Sequence, residues 1–129
     1  METRSSKVRK HLSSTITWVF DDITEKTAPT KLGDLCHKWK DSMSESHCGI
    51  SIPEEWVPLV HCTLTSLVTV CPGFKIEQVK EKFGGLRIYV SFPPETDRAV
   101  TFTCHLVIDW AENAVIKAEK AVESEDSNE

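Results

Sequence analysis

The chain has 129 residues, 40% of them hydrophobic and 27% charged, a composition that fits a soluble globular protein and excludes wholesale disorder. This length closes one hydrophobic core without disulfide or metal staples, so a single domain over residues 1–122 is expected, with a disordered acidic tail over 123–129. The formal net charge of −5 argues against a protein built mainly to hold nucleic-acid phosphates, which relies on clustered Lys and Arg.

The N-terminus, METRSSKVRKHLSST, is basic through Arg4, Lys7, Arg9 and Lys10 but lacks the apolar segment of a signal peptide. No uncharged apolar run approaches the roughly 20 residues that span a bilayer, so a cytoplasmic protein without membrane contact is expected. Five cysteines, an odd number without the spacing of a disulfide scaffold, fit reduced thiols. From Lys7 to Glu25, Val8, Leu12, Ile16, Val19, Phe20 and Ile23 recur at helical spacing, although the threonines and Trp18 of STITWVF favour strand. Leu32, Leu35, Cys36, Trp39 and Met43 predict a second helix ending near Met43, with Thr30 as its cap. SESHCGISIPEE, broken by Gly49 and Pro53, reads as a loop. Trp56, Leu59, Val60, Leu64, Leu67, Val68 and Cys71 supply a third helical stripe, which Pro53 or Pro58 opens and CPG ends.

The period then changes from helical to alternating. Phe74, Ile76 and Gln78 fall on one face of a strand, Leu86, Ile88, Val90 and Phe92 on one face of another, and Gly84 and Gly85 lie between them. This predicts an antiparallel hairpin over about 74–92. PPETD stops the second strand, with Thr96 or Asp97 as a cap, and Val100, Cys104, Val107, Ile108, Ala111, Ala114, Val115, Ala118 and Val122 keep helical register from Arg98 to Val122. The expected fold is α+β and mostly helical, its one hairpin packed against helices and its longest element a C-terminal helix.

Within this pattern, CGISIPEEWVPLV and PGFKIEQVKEKFGGLRIYV, over residues 48–90, are similar to a family of small uncharacterised proteins from bacteria and their phages. Members carry a G-W-x-x-L helix followed by a V-K-E-K-F-G-x-L-R-F-Y strand. Glu55 stands here where members often have Gly before the tryptophan, and ESEDSNE stands where many continue into a Cys-x-x-Cys segment suited to zinc. The resemblance implies an α+β fold and a bacterial or phage setting, and no reaction.

Lys80, Lys82 and Arg87 flank Phe83 and the paired glycines, which would offer a basic, aromatic hairpin tip to an anionic partner or a nucleic-acid strand. The structural alternative has Arg87 crossing to a carboxylate such as Glu81. The glycine spacing matches neither the Rossmann nor the Walker fingerprint. Histidine and cysteine adjoin at Cys36-His37, His47-Cys48, His61-Cys62 and Cys104-His105, but neighbours on a helix or strand point apart and do not grip one metal. No metal and no cofactor are expected. His105, Asp109 and Glu112 share one face of the last helix and could serve acid–base chemistry under a cleft, or simply be its solvated face. Phe102, Leu106 and Trp110 form a second apolar row beside the core stripe; the first helix covers it, or a second copy of the chain does. These features predict a binding protein, possible homodimer included, that occupies a protein partner such as a host defence complex. One alternative is a nucleic-acid-binding accessory protein using the basic arm and hairpin tip. The other is a small enzyme or metal protein using His105, Asp109 and Glu112.

Overall fold

The structure, a computed structural model, describes residues 2–19 and 26–127. In chain order its elements are α1 (Arg4–Val19), α2 (Leu32–Lys38), β1 (Ile50–Ser51), α3 (Val57–Val70), β2 (Lys75–Lys82), β3 (Gly85–Ser91) and α4 (Arg98–Ser127). The architecture is α+β and mainly helical, but the sheet has three strands in the order β1-β2-β3 where a lone hairpin was expected. Ile50 and Ser51, placed in a loop by their glycine- and proline-rich surroundings, run parallel to β2 opposite Val79 and Lys80. Met43 bridges Ile76 beyond the end of that short strand. A two-residue strand carries too little alternation to announce itself, and its pairing is set by distant residues.

One face of the sheet holds Ile50, Ile76, Val79, Leu86 and Ile88, all buried in a single cluster with the apolar stripes of the helices. α4 lies against α1, α3 and β3. The strand alternation expected to bring Gln78 inward fails at an irregularity between Ile76 and Gln78, where one extra residue turns Val79 into the core instead. Glu77 sits at that point and its carboxylate accepts hydroxyl hydrogen bonds from Ser44 at 2.7 Å, Ser46 at 3.2 Å and Ser91 at 2.8 Å. These donors, Ser44 foremost and then Ser91, hold its pKa below the usual carboxylate value. The bulge therefore both resets the register and fastens the 44–48 loop to the sheet.

Helix ends differ from expectation in physically legible ways. α2 stops at Lys38 and passes into a 3₁₀ turn at Lys40–Ser42, and it begins after Lys31 without a side-chain cap from Thr30. Its first N–H, on Leu32, instead donates to Glu54 Oε2 at 2.9 Å, a cap supplied from across the fold. Asp97 caps α4 as expected, accepting from Ala99 N–H at 2.7 Å. α1 is described as far as Val19, and Phe20 and Ile23 lie outside the described residues. The threonines that made α1 ambiguous are accommodated by donating back one turn, Thr15 to His11 C=O at 3.1 Å and Thr17 to Ser13 C=O at 2.9 Å.

Residues 123–127, expected to be disordered, continue α4. Their acidic side chains reach the basic start of α1: Asp126 pairs with Lys7 at 2.8 Å and Glu125 with His11 at 2.9 Å. Arg4 pairs with Glu119 at 2.7 Å, about two turns earlier on the same helix, and Lys10 pairs with Glu2. Composition marked one end as basic and the other as acidic; antiparallel packing of the first and last helices brings their opposite charges together.

Candidate binding surfaces

The hairpin turns through Phe83 and Gly84, which follow Lys82 and precede its partner Gly85. Both turn residues have positive φ, 55° and 79°, the two-residue geometry that matches strand twist and that Asn-Gly or Gly-Gly ordinarily fills. Phenylalanine in this left-handed region costs about 1–2 kcal/mol, and the ring recovers little of it, being 96% exposed. Lys82 Nζ lies 5.8 Å from its centroid. The glycines thus make a tight turn, and a phosphate-cradling loop they are not.

Register places Lys80 directly opposite Arg87, and Glu81 opposite Leu86. The cross-strand pair expected between Arg87 and Glu81 is absent, because the two side chains leave opposite faces of the ladder. Arg87 Nη1 instead folds back to Leu86 C=O at 3.0 Å, over Gly85, where a Cβ would stand 3.4 Å from it. Tyr89, 43% exposed, lies beside them with its ring 5.7 Å from Lys80 Nζ. Among the described residues no carboxylate forms an ion pair with Lys80, Lys82 or Arg87. Two like charges directly opposite each other destabilise a sheet modestly, so Lys80 and Arg87 repel across the pair, with Lys82 and the Tyr89 ring beside them. A cleft of about 500 Å³ lies under the turn, where Phe83 and Arg87 face Ile116, Lys120 and Glu123 of α4.

The apolar row divides. Phe102 and Leu106 are 64% and 52% exposed, whereas Trp110 is half-buried against the core cluster. Val19, at the end of α1, is 51% exposed and joins Leu106, Val107 and Trp110 around a shallow apolar recess of about 260 Å³. α1 packs along α4 but leaves Phe102 and Leu106 uncovered. Beyond Trp110 the strip runs into a wider groove of about 760 Å³ between the same helices, with Ala114, Ala118 and Ala121 along its floor. This surface and the hairpin cleft share no residue, so the expected contact residues fall on two separate surfaces.

In the basic arm, Arg4 and Lys7 pair with the acidic end of α4, and Lys10 pairs with Glu2. His105, Asp109 and Glu112 share a helix face but not a cleft in common use: Glu112 Oε2 accepts the Ile88 N–H of β3 at 3.0 Å, His105 meets Phe92 edge-on at 5.7 Å, and Asp109 is exposed. Among the described residues no group of three or more His, Cys, Asp or Glu is placed to hold a metal ion. Cys62, Cys71 and Cys104 are buried, and burial pushes the Cys104 thiol up. His61 is buried too, its Nδ1 accepting from Trp39 Nε1–H at 3.1 Å. Burial, helped by Lys38, lowers its pKa to about 4, so it is a neutral acceptor for a core tryptophan. Trp56 Nε1–H reaches Glu119 at 3.2 Å, which leaves these two indoles internal.

Tyr89 and Val19 were not singled out by sequence. Alternation from Leu86 and Ile88 would have put Tyr89 outward beside Arg87; Val19 continues the buried stripe of α1, and nothing local shows that the stripe outruns its cover. No helix among the described residues is long and apolar enough to cross a membrane. Comparison with protein-family models, with curated proteins and with solved structures finds no match to this chain.

Proposed function

We propose that this is a small binding protein of a bacterium or a phage, acting in the cytoplasm by occupying a protein partner, with the exposed row on α4 as its contact surface. The observation that carries this reading is the apolar strip of Phe102, Leu106 and Val19, each more than half exposed, running into the recess beside Trp110. Contiguous apolar side chains of this size left in water usually mark an interface. Covering Phe102 and Leu106 would contribute about 1–2 kcal/mol each before the cost of docking. Inhibition of a host defence complex is the form of the activity we favour, since blocking requires a surface and the exposed row on α4 supplies one.

The test is affinity purification from a bacterial host, with the wild-type chain and a Phe102→Glu/Leu106→Glu variant at equal loading and circular dichroism to establish that both are folded. A protein held in roughly stoichiometric amount by the wild type and released by the variant is expected. Identical retained sets would overturn the reading. Light scattering on the same pair separates a second copy from a foreign partner: a dimer that the variant turns into a monomer makes self-association the occupant.

A further inference from the structure

Beyond that contact surface, we infer that the open face of the sheet binds single-stranded nucleic acid, with Lys80, Lys82 and Arg87 on its phosphates and Tyr89 stacked on a base. Three observations converge on this face. Among the described residues its cations form no ion pair with a carboxylate, in a chain of net charge −5, even though the fold pairs Arg4 and Lys7 of the N-terminal arm with the end of α4. Lys80 and Arg87 stand directly opposite each other, a repulsion that a bound anion would relieve. Each lysine ammonium lies near an aromatic ring, Lys80 by Tyr89 and Lys82 by Phe83, so charge and ring alternate along the hairpin.

The kind of anion follows from that alternation. Lys80 and Lys82 point the same way from one strand, about 6.6 Å apart, and present charge at a regular interval, which suits a polymer carrying one charge per repeat. An acidic peptide would use the cations and leave the rings idle; bases have faces that stack on them, without regard to sequence. A duplex hides those faces within its own stack, so the rings favour a single strand. When the Lys80 ammonium turns to a phosphate, the ring face it covers becomes available to a base. Among the described residues β3 has no further strand beside it, although Glu112 of α4 accepts its Ile88 N–H, so the nucleic-acid strand runs over the outward face, past Tyr89 and Lys80 to Lys82 and the Phe83 turn, and not along that edge.

Fluorescence anisotropy of a labelled oligo(dT) of about 20 nucleotides tests this. With three phosphates neutralised, the logarithm of affinity should fall against the logarithm of salt with a slope of about −2, roughly a twentyfold loss between about 50 and 200 mM. Lys80→Ser with Lys82→Ser should bring the slope to about −0.7. Tyr89→Ala should weaken binding about fivefold or more, while Tyr89→Phe, which keeps the ring, should not. Phe102→Glu on α4 should leave binding unchanged. Absence of an anisotropy change at the lowest salt would overturn the inference, as would a slope indifferent to the lysine substitutions in variants that circular dichroism shows to be folded. Equal competition by poly-glutamate would reassign the face to acidic protein segments, and equal competition by a duplex would remove the single-strand assignment; either result refutes the inference as stated.

Discussion

Phe83→Asn should make the protein more stable, which is the opposite of what replacing an aromatic residue usually does. The wild-type residue holds φ at 55°, where a side chain other than Gly costs about 1–2 kcal/mol and Asn, which tolerates that region, recovers a large share. Against the gain stands only the loss of the Lys82 ammonium near the ring at 5.8 Å, an exposed cation–ring contact worth about 0.5 kcal/mol. No core burial is forfeited, because the side chain is almost wholly in water. The net expectation is a gain of about 0.5–1 kcal/mol, or about 2–5 °C in melting temperature for a chain of this length. Urea titration gives the free energy directly, and the slope of the transition should not change, since the same surface is exposed on unfolding. A destabilised variant would refute the reasoning, because it would mean that the ring buries surface or makes contacts in the folded state. If Phe83 takes part in binding at the hairpin tip, the stabilised variant should also bind its partner more weakly, the usual sign that strain at a turn is kept for function.

Other expectations follow from the interior and the two chain ends. Phe74, fully buried, should cost about 3–5 kcal/mol when changed to Ala, read by urea titration. His61 has a folded pKa of about 4, below its ordinary value near 6.5, so its contribution is fully present above about pH 6.5 and is lost as pH falls toward 4. Stability should drop by about 2 kcal/mol between about pH 7 and pH 5, and His61→Gln should flatten the decline in urea titrations at pH 7, 6 and 5. Glu77→Ala should release the Ser44–Cys48 loop to limited proteolysis while leaving β3 paired, as hydrogen exchange would show. Asp126→Ala, removing an ion pair at the exposed helix ends, should cost less than about 1 kcal/mol, and less still at high salt.

Where the sequence was readable, one element's own pattern decided the outcome. The buried rows of α1, α3 and α4 follow spacing alone: Val8, Leu12 and Ile16, then Leu59 through Leu67, then Cys104 through Val122. The antiparallel β2–β3 pair follows from its flanking alternation and its glycines. What local pattern did not show was decided by partners far along the chain. β1 exists because Ile50 finds Val79; α2 is capped by Glu54; the acidic tail stays helical beside Arg4 and Lys7. Even the failed Arg87–Glu81 pair belongs here, since the residues alternate to opposite faces once Lys82 and Gly85 are fixed as partners. Of the candidate contact residues, the exposure of Phe83 at the hairpin tip was legible, whereas whether the first helix covers Phe102 and Leu106, and the division into two surfaces, was not.

The distribution of charge links the fold to both proposed contacts. A basic N-terminus in an acidic chain first suggests an arm for polyanions, yet α1 runs antiparallel to α4 and spends Arg4 and Lys7 on Glu119 and Asp126. Neutralising the arm also neutralises part of the acidic tail, so the field near that end is weaker than composition implies. Lys82 and Arg87 of the sheet line one cleft with Glu119 and Glu123, yet among the described residues no cation of the sheet forms an ion pair. At physiological ionic strength charges interact over about 8 Å, so the local face and not the net charge governs what approaches Lys80 and Arg87. An acidic chain can therefore present a basic surface, while the apolar row on α4 faces a separate direction. A partner on one need not displace a ligand on the other. Adding saturating oligonucleotide to the protein–partner complex should leave it intact, and release of the partner would show that the two surfaces compete.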